Sequence, residues 1–249
     1  MNFRVATLNL ERNEKRWLER RVLIIDQLAR LKPDLFALNE VWLPTETGRW
    51  LQQTAEREAG LSYALVQQSK TAANPSVEAE ALLTRFPVVE QSHRFYSVPD
   101  TVALVARLQI NGRLVDFYVT HLYPVRRSDS ERLGQVKQLL EWIGSRADIR
   151  DKIICGDFNA SLGMESIDLL AQSFQPTQTA PTAFTPLQEV NGKPTHEDWE
   201  RFDRCIDFIW VSDSLTVRDS GLCFNQPSPR DPKLWPSDHI GVWADLELA

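Results

Sequence analysis

Short apolar segments alternate with amphipathic helical segments along the sequence, and this alternation restricts the fold more than any other feature. The apolar segments predict strands at residues 3–8, 35–38, 81–84, 88–89, 102–110, 114–120, 152–155, 205–211 and 241–248. Helical spacing predicts helices at residues 14–31, 47–59 and 130–145. Because such interleaving is typical of α/β proteins, we expect one α/β domain over residues 1–249, with antiparallel and crossover connections.

Turn and cap residues separate the predicted elements. Pro33 ends the first helix, Gly60 ends the second, and Asn111-Gly112 predicts a hairpin between two strands. The first helix carries apolar residues at helical spacing, namely Trp17, Leu18, Val22, Ile25 and Leu28. The third helix does so at Leu133, Val136, Leu139, Leu140 and Ile143. Residues 174–200 are polar and predict a loop.

Charge and cysteine usage argue against several classes of protein. The net charge of −6 is unlike the basic footprint of a dedicated duplex-DNA binder. The three cysteines lack CxxC spacing, which argues against a disulfide framework or a zinc site. The N-terminal segment becomes charged before an apolar run can form, and no segment reaches the roughly 20 apolar residues of a membrane span. We therefore expect a cytoplasmic protein without stable membrane insertion.

Polar residues collect at the ends of the predicted strands, where α/β folds commonly place reactive groups. They are Asn9, Glu40, His121, Asp157, Asn159, Asp238 and His239. Oxygen ligands with few imidazoles and no thiols suit Mg²⁺ better than Zn²⁺.

Each of these residues also has an ordinary structural interpretation. Asn9 can cap a turn, Glu40 can be a solvated strand end, and His121 can be a core histidine with satisfied hydrogen bonds. The segments at 156–159 and 237–239 can be simple turns. The ordered set at successive strand ends, however, favours one functional site over five independent accidents.

The ordered motifs resemble the endonuclease/exonuclease/phosphatase superfamily of deoxyribonuclease I-like metal-dependent phosphoesterases. The residues that carry the resemblance are Thr7–Asn9, Leu38–Trp42, Ala81–Val88, Thr120–Pro124, Arg132–Gln135, Gly156–Asn159, Cys205–Ile209 and Ser237–His239. The resemblance implies a four-layer α/β sandwich in which two packed mixed β-sheets are flanked by helices. It also implies one active-site cleft at the edge of the sheets.

The resemblance assigns the metal-binding residues. It implies that Glu40 binds Mg²⁺ directly, with Asn9 and Asp238 near the ion, and that Mn²⁺ can substitute. A metal ion and preorganised donors would then neutralise the phosphate during hydrolysis.

The resemblance also assigns the residues that act on water and phosphate. It implies that Asp157 deprotonates the attacking water and that Asn159 positions the water or the phosphate. His239 would donate to a phosphate oxygen while Asp207 fixes its ring, and His121 would contact the phosphate from the other side.

The register of one segment predicts a partner for His121. Glu78 and Glu80 lie on the same face of a strand of period two, so alternation does not choose between them. In the family, an acid and a small residue precede a run like the one that ends at Arg85, and counting back selects Glu78. We therefore predict that Glu78 hydrogen-bonds the His121 ring and keeps it cationic, with Glu80 as the alternative.

Two positions depart from the family pattern. Asn39 stands where Gln usually precedes the metal-binding Glu, and Ala79 stands where Gly is common. Neither change removes a predicted ligand. The segment Thr120–Pro124 also differs from the tyrosine-containing motif of abasic-site endonucleases, which argues against that activity.

The substrate stays open at this level. The chain is predicted to hydrolyse phosphoesters, of which phosphodiesters are favoured, either in small molecules or lipids or in DNA or RNA. The acidic charge mildly favours the small substrates. A non-catalytic protein that binds phosphate ligands is the alternative of another class, and the sequence does not predict an oligomeric state. Aromatic residues near the motifs could stack bases; these are Trp42, Tyr123, Trp199, Trp210 and Trp235.

Overall fold

The computed structural model describes residues 2–12, 15–71, 77–124, 129–178, 189–190, 193–194 and 205–248. Its helices are α1 (Trp17–Leu31), α2 (Thr47–Ala59), α3 (Ser130–Ser145) and α4 (Glu165–Ala171). Its first seven strands are β1 (Asn2–Asn9), β2 (Leu35–Trp42), β3 (Ala64–Ser69), β4 (Glu78–Thr84), β5 (Val88–Phe95), β6 (Val102–Ile110) and β7 (Arg113–His121). The others are β8 (Asp151–Asp157), β9 (Gln175–Pro176), β10 (Glu189–Val190), β11 (Lys193–Pro194), β12 (Asp207–Val211), β13 (Leu215–Cys223) and β14 (Gly241–Leu248).

Two six-stranded sheets form the centre of the described structure. The first, sheet A, has the order β13-β14-β1-β2-β4-β3, and β1 pairs with β2 in parallel. The second, sheet B, has the order β5-β6-β7-β8-β12-β9, and β7 pairs with β8 in parallel. The remaining pairings inside both sheets are antiparallel, so the sheets are mixed.

Three apolar clusters lie between four layers. One cluster joins the inner faces of the two sheets and includes Val5, Ala37 and Val119. A second packs α1 and α2 on sheet A, and a third packs α3 and α4 on sheet B. The predicted four-layer α/β sandwich is therefore confirmed.

The buried face of α1 differs from the one predicted. Leu18 and Val22 are 68% and 53% exposed, whereas Arg20 is completely buried. The helix turns Arg20 inward because backbone carbonyls near the site accept hydrogen bonds from its guanidinium, which compensates for its burial.

Several elements lie outside the sequence predictions. Strand β3 was missed because its sequence ends in polar residues, and β13 because it is a half-exposed strand with a register shift between Val217 and Asp219. The short helix α4 was also missed. Within the predicted loop at residues 174–200, the structure contains the short strands β9, β10 and β11.

Among the residues that the structure describes, none of the helices has the length and apolar character needed to cross a membrane.

The strand connectivity determines where the site lies. The C-terminal ends of β1, β2, β7 and β8 lie at one edge of the sandwich. The N-terminal ends of β4, β12 and β14 lie at the same edge because these strands run antiparallel to their neighbours.

Candidate active site

The shared edge of the two sheets forms a cleft of about 990 Å³. Seven of the nine predicted site residues line it, namely Glu40, Glu78, His121, Asp157, Asn159, Asp238 and His239. Asn9 and Asp207 lie directly behind this surface, where they contact Asp157 and His239. The structure thus brings together all nine residues that the sequence singled out.

A bulge in β2 places Glu40 in the cleft. The β2–β4 register shifts between Leu38 and Val41, and Glu40 adopts a left-handed conformation with φ of 55°. A positive φ is uncommon for a residue with a side chain and is typical of functional strain. The Arg12 backbone amide donates to Glu40 Oε2 at 2.7 Å. Burial raises the pKa of Glu40, but this amide and the cationic groups of the cleft hold it well below its usual range.

The same bulge turns Asn39 toward sheet B, where it is fully buried. Asn39 Oδ1 accepts the Asp157 backbone N–H at 2.8 Å, and Asn39 Nδ2 donates to the Thr120 carbonyl at 3.0 Å and to the Glu80 carboxylate. Asn39 therefore links β2 to the two strands that carry His121 and Asp157.

Gly156 is required by the approach of β7 to β8. Its φ is +140°, and a Cβ atom there would lie 1.9 Å from the Thr120 carbonyl oxygen. Any side chain would therefore separate the two strands that carry the histidine and the carboxylate. Beyond it, the Asn159 backbone N–H donates to Asp157 Oδ1 at 2.8 Å, and Asn159 Nδ2 donates to the Leu122 carbonyl at 2.8 Å.

Asp157 lies at the centre of the site. Its Oδ2 atom is 3.5 Å from His121 Nε2 and 3.7 Å from His239 Nε2. Asn9 Nδ2 donates to the same oxygen at 3.2 Å and to Glu40 Oε1 at 3.1 Å. Burial and the charge of Asp207 raise the pKa of Asp157 to about 7. This value suits a general base at neutral pH better than an ordinary carboxylate does.

Asp207 and His239 form a close pair across the two sheets. The distance from His239 Nδ1 to Asp207 Oδ2 is 2.9 Å. Burial opposes the charge on the ring, but Asp207 and Asp157 raise the pKa of His239 well above its usual range. The ring is therefore an imidazolium with Nδ1–H donating to Asp207 and Nε2–H facing Asp157.

His121 has a different partner from the one predicted. Lys70 Nζ lies 2.8 Å from His121 Nδ1, and Glu80 Oε1 lies 3.7 Å from the same nitrogen. The prediction that Glu78 hydrogen-bonds this ring is wrong. Glu78 instead pairs with Lys70 and lies 3.3 Å from Arg12 Nη1. The physical reason is that the Lys70 ammonium lies between the two glutamates and takes the position beside the ring.

The predicted cationic state of His121 is also wrong. Burial lowers the pKa of His121 well below its usual range, and the positive charge of Lys70 lowers it further. The two histidines of the cleft consequently differ in charge at neutral pH.

Arg20 and Ser237 fix the loops that carry Asn9 and Asp238. The Arg20 Nη1 atom donates to the carbonyls of Leu10 at 2.9 Å and Pro236 at 3.1 Å, which belong to the two loops. Ser237 Oγ donates to the Asn9 carbonyl at 2.6 Å. Sequence reasoning missed both roles, although Arg20 follows Trp17 by three residues and so shares its inward face.

The donor atoms of the cleft fit a divalent cation. Asp157, Asp207 and His239 each bring one ligand atom within 4.8 Å of the others. Within the described part of the chain, Asp207 Oδ1 is buried without a hydrogen-bond partner. The carboxylate oxygens of this group suit a hard metal ion, whereas both nitrogens of the His239 imidazolium carry protons and offer no lone pair. A second such group is Glu78, Glu80 and His121, but the Lys70 ammonium contacts all three.

The predicted metal-binding set of Asn9, Glu40 and Asp238 stays a prediction. Glu40 and Asp238 present carboxylates to the cleft. Asn9 Oδ1 accepts the Glu11 backbone N–H at 2.9 Å, and its amide nitrogen faces Glu40 and Asp157. In this arrangement Asn9 orders two acidic side chains as a hydrogen-bond donor.

The predicted aromatic residues fall into three groups. Tyr123 is half-buried in the cleft wall, and Trp42 lies beside Glu40 in a small adjoining pocket. Trp210 is fully buried in the cluster beneath sheet B, and Trp235 is half-buried. Trp199 lies outside the described residues. Among the described candidates, Tyr123 therefore lines the cleft and Trp42 lies next to it.

Residues 6–239 match the model of the Endonuclease/Exonuclease/phosphatase family. The match covers the fold and every predicted site residue. The chain belongs to this family.

Known proteins similar to the chain differ in what their names describe. Nocturnin of Xenopus laevis is 26% identical over 94% of this chain, which spans 65% of nocturnin's length. The mannosyl-6-phosphatase of Bacteroides thetaiotaomicron has a TM-score of 0.78 at 18% identity, covering 99% of this chain and 100% of its own. D. rerio TDP2, solved with a single-strand DNA product, has a TM-score of 0.77 at 16% identity, covering 99% of each chain.

Proposed function

We propose that this chain is a divalent-metal-dependent hydrolase of phosphoester bonds. The observation that carries the proposal is the convergence of two imidazole Nε2 atoms on one oxygen of Asp157, at 3.5 and 3.7 Å. A base flanked by two hydrogen-bond donors suits attack of water on a bound phosphate. The non-catalytic alternative is disfavoured because each position that the family motif requires holds a competent residue.

Some residues of the site act on the attacking water, and others bind the phosphate. Asp157 accepts the proton of the water, and the Asn159 backbone N–H orients its second oxygen. His239 donates to the phosphate from a charged ring held by Asp207. His121 donates from the opposite wall. Between these donors, the phosphate is bound and turned toward the water.

The metal ion belongs on the sheet A side of this arrangement. Glu40 and Asp238 are the carboxylates that would hold it, with Asn9 ordering Glu40. Mg²⁺ is proposed, with Mn²⁺ as its substitute, because the donors on this side are oxygens. When bound, the ion neutralises charge on the phosphate and polarises its oxygens.

The charge of the cleft favours small or short substrates, and phosphodiesters are favoured over monoesters. The lysine and arginine that line the cleft within the described residues are Lys70 and Arg12, and both pair with Glu78. Asp100 lies on the opposite wall. A long polyanion would need a continuous positive groove, and the charges of the described cleft residues do not form one.

The test is a turnover assay on aryl phosphodiesters and monoesters with added Mg²⁺ or Mn²⁺. We expect hydrolysis with either ion, loss of activity in EDTA, and recovery when the ion is returned in excess. Glu40→Gln should require more Mg²⁺, measured by calorimetric titration, whereas Glu165→Gln on the exposed start of α4 should not. Full turnover of the chelated enzyme would contradict the metal dependence, and tight, salt-dependent binding of duplex DNA would contradict the substrate preference.

Two further predictions from the sequence accompany this proposal. A single domain over residues 1–249 and a cytoplasmic location both stay predictions. The family match over residues 6–239 supports the first.

A further inference from the structure

The Lys70 ammonium lies in a buried niche behind His121. Lys70 directly follows β3, and its side chain is only 11% exposed. Its Nζ atom lies 2.8 Å from His121 Nδ1 and 3.2 Å from Glu80 Oε1, and it also pairs with Glu78. An ammonium has three N–H donors, and three acceptor groups surround it here. This match explains why a lysine is tolerated at such a buried position.

The contact with Lys70 determines which ring nitrogen of His121 carries the proton. An ammonium donates hydrogen bonds and cannot accept them, so Nδ1 must offer its lone pair. The proton of a neutral ring then lies on Nε2, which is the nitrogen that faces Asp157 at 3.5 Å.

We propose that Lys70 is a positioning residue that holds His121 as a neutral ring with its proton on Nε2, so that His121 donates a hydrogen bond into the cleft. The contribution of this donor to hydrolysis rests on the proposed function. The assignment of the proton itself does not, because it follows from the contacts of the ring.

The positions of the acidic residues around Lys70 support the same tautomer of His121, with its proton on Nε2. A carboxylate that accepted the Nδ1 proton would produce the arrangement of Asp207 and His239, where the separation is 2.9 Å. Glu80 Oε1 is 3.7 Å from His121 Nδ1, which is beyond hydrogen-bond reach, and it lies closer to the ammonium, at 3.2 Å. Glu80 Oε2 accepts a hydrogen bond from Asn39, which keeps this carboxylate from moving toward the ring.

Removal of the ammonium should therefore abolish the preference for a proton on Nε2. In Lys70→Met, no ammonium donates to Nδ1 and Asn39 holds Glu80 away from the ring, so a mixture of the two tautomers should replace the single tautomer. In Lys70→Arg, the guanidinium is again a donor without an acceptor, so the proton should stay on Nε2.

The decisive experiment is long-range ¹H–¹⁵N correlation NMR of protein labelled with [¹⁵N]histidine. The chain contains four histidines, and His121→Gln identifies the signals of His121. We expect an unprotonated Nδ1 and a protonated Nε2 in the wild-type protein at pH 7. A protonated Nδ1 in the wild-type protein would overturn the proposal, and this measurement needs neither substrate nor a variant that folds poorly.

The variants sharpen this result. Lys70→Met should shift the Nδ1 signal toward that of a partly protonated nitrogen, while Lys70→Arg and the exposed-residue control Lys137→Met should keep the wild-type pattern. An unchanged His121 pattern in folded Lys70→Met would show that Lys70 does not set the tautomer and would overturn the proposal.

Kinetics then connect the tautomer to catalysis. Lys70→Met should lower kcat by about 10-fold to 100-fold, as expected for a residue that orients another functional group. Lys70→Arg should recover most of this loss. If the wild-type protein shows the expected NMR pattern but no phosphoesterase activity, the proposed function fails while the assignment of Lys70 stands.

Discussion

The two cleft histidines lie at similar distances from Asp157 but have opposite kinds of partner. His239 Nδ1 faces the Asp207 carboxylate at 2.9 Å, whereas His121 Nδ1 faces the Lys70 ammonium at 2.8 Å. The carboxylate raises the pKa of His239 against the effect of burial, and burial together with the ammonium lowers the pKa of His121. One imidazole is therefore a cation and the other a neutral donor.

The difference shows that the group in contact with Nδ1 determines the charge of each ring more than the group that faces Nε2 does. Both rings present Nε2 to the same carboxylate oxygen, so the surroundings of the two Nε2 atoms are nearly equivalent. A phosphate bound between them would meet one charge-assisted hydrogen bond and one neutral hydrogen bond. This asymmetry avoids placing two imidazolium ions close together in a buried site.

The largest expected effect follows from Asp157, the residue that both rings face. Asp157→Asn removes the proton acceptor while it keeps the size of the side chain, so turnover should fall by about 10³-fold. Substrate affinity should be retained, because repulsion between the carboxylate and the phosphate is lost. The measurement is kcat and KM on an aryl phosphodiester. Asp213→Asn, at a side chain that is 81% exposed, is the matched control. Near-normal turnover of Asp157→Asn would remove this residue from its role as the base.

The next effect tests whether Asp207 and His239 act as one unit. His239→Ala and Asp207→Ala should each lower kcat by about 10²-fold, because the first removes the donor and the second its charge. The double variant should lose little more than either single variant. Losses that multiply in the double variant would show that the pair acts independently and would weaken the contrast with His121.

Much of this comparison could be predicted from the sequence. The strand-end positions of His121, Asp157 and His239 were readable because short apolar runs precede or follow them. The Asp207–His239 contact was predicted from the resemblance and is present at 2.9 Å. The sequence could identify these residues because each lies next to a strand whose apolar pattern is recognisable.

The contacts of Lys70 and Arg20 could not be predicted in the same way. Lys70 follows a strand that alternation did not reveal, and its partners lie on β4 and β7. Arg20 is a charged residue of α1 whose complete burial the apolar pattern of the helix did not predict. A buried cation depends on acceptors far away in sequence, so no local period identifies it.

A smaller effect should separate the two histidines directly. A glutamine side chain can provide a neutral N–H donor but no positive charge. His121→Gln should therefore lower kcat by about 10-fold, the equivalent of about 1.4 kcal/mol. His239→Gln should cause a larger loss because it also removes the imidazolium charge. Equal losses in the two variants, measured side by side on one substrate, would contradict the assigned difference in charge.

The smallest effect concerns the stability of the metal-free protein as the pH falls. The titratable groups closest to the buried His121 ring are Lys70 and the carboxyls of Glu80 and Asp157, whose pKa values burial raises to about 8 and about 7. Burial and Lys70 keep the pKa of His121 below that of a histidine in the unfolded chain. Below about pH 6.5 the His121 ring takes up a proton in the unfolded state but not in the folded state. The free energy of unfolding therefore falls as the pH decreases.

His121→Gln should remove this contribution, which amounts to at most about 1.4 kcal/mol for each pH unit below 6.5. Urea unfolding in EDTA at pH 7.5 and 5.5 provides the measurement, with the difference between variant and wild type taken at each pH. The stability of His121→Gln should fall less than that of the wild type between these values. His239→Gln should keep the acid-side loss, because the raised pKa of His239 contributes stability that is present at low pH and disappears as the pH rises. A steeper acid-side loss in His121→Gln than in the wild type would mean that the His121 ring is protonated in the folded protein, and the contrast between the two histidines would disappear.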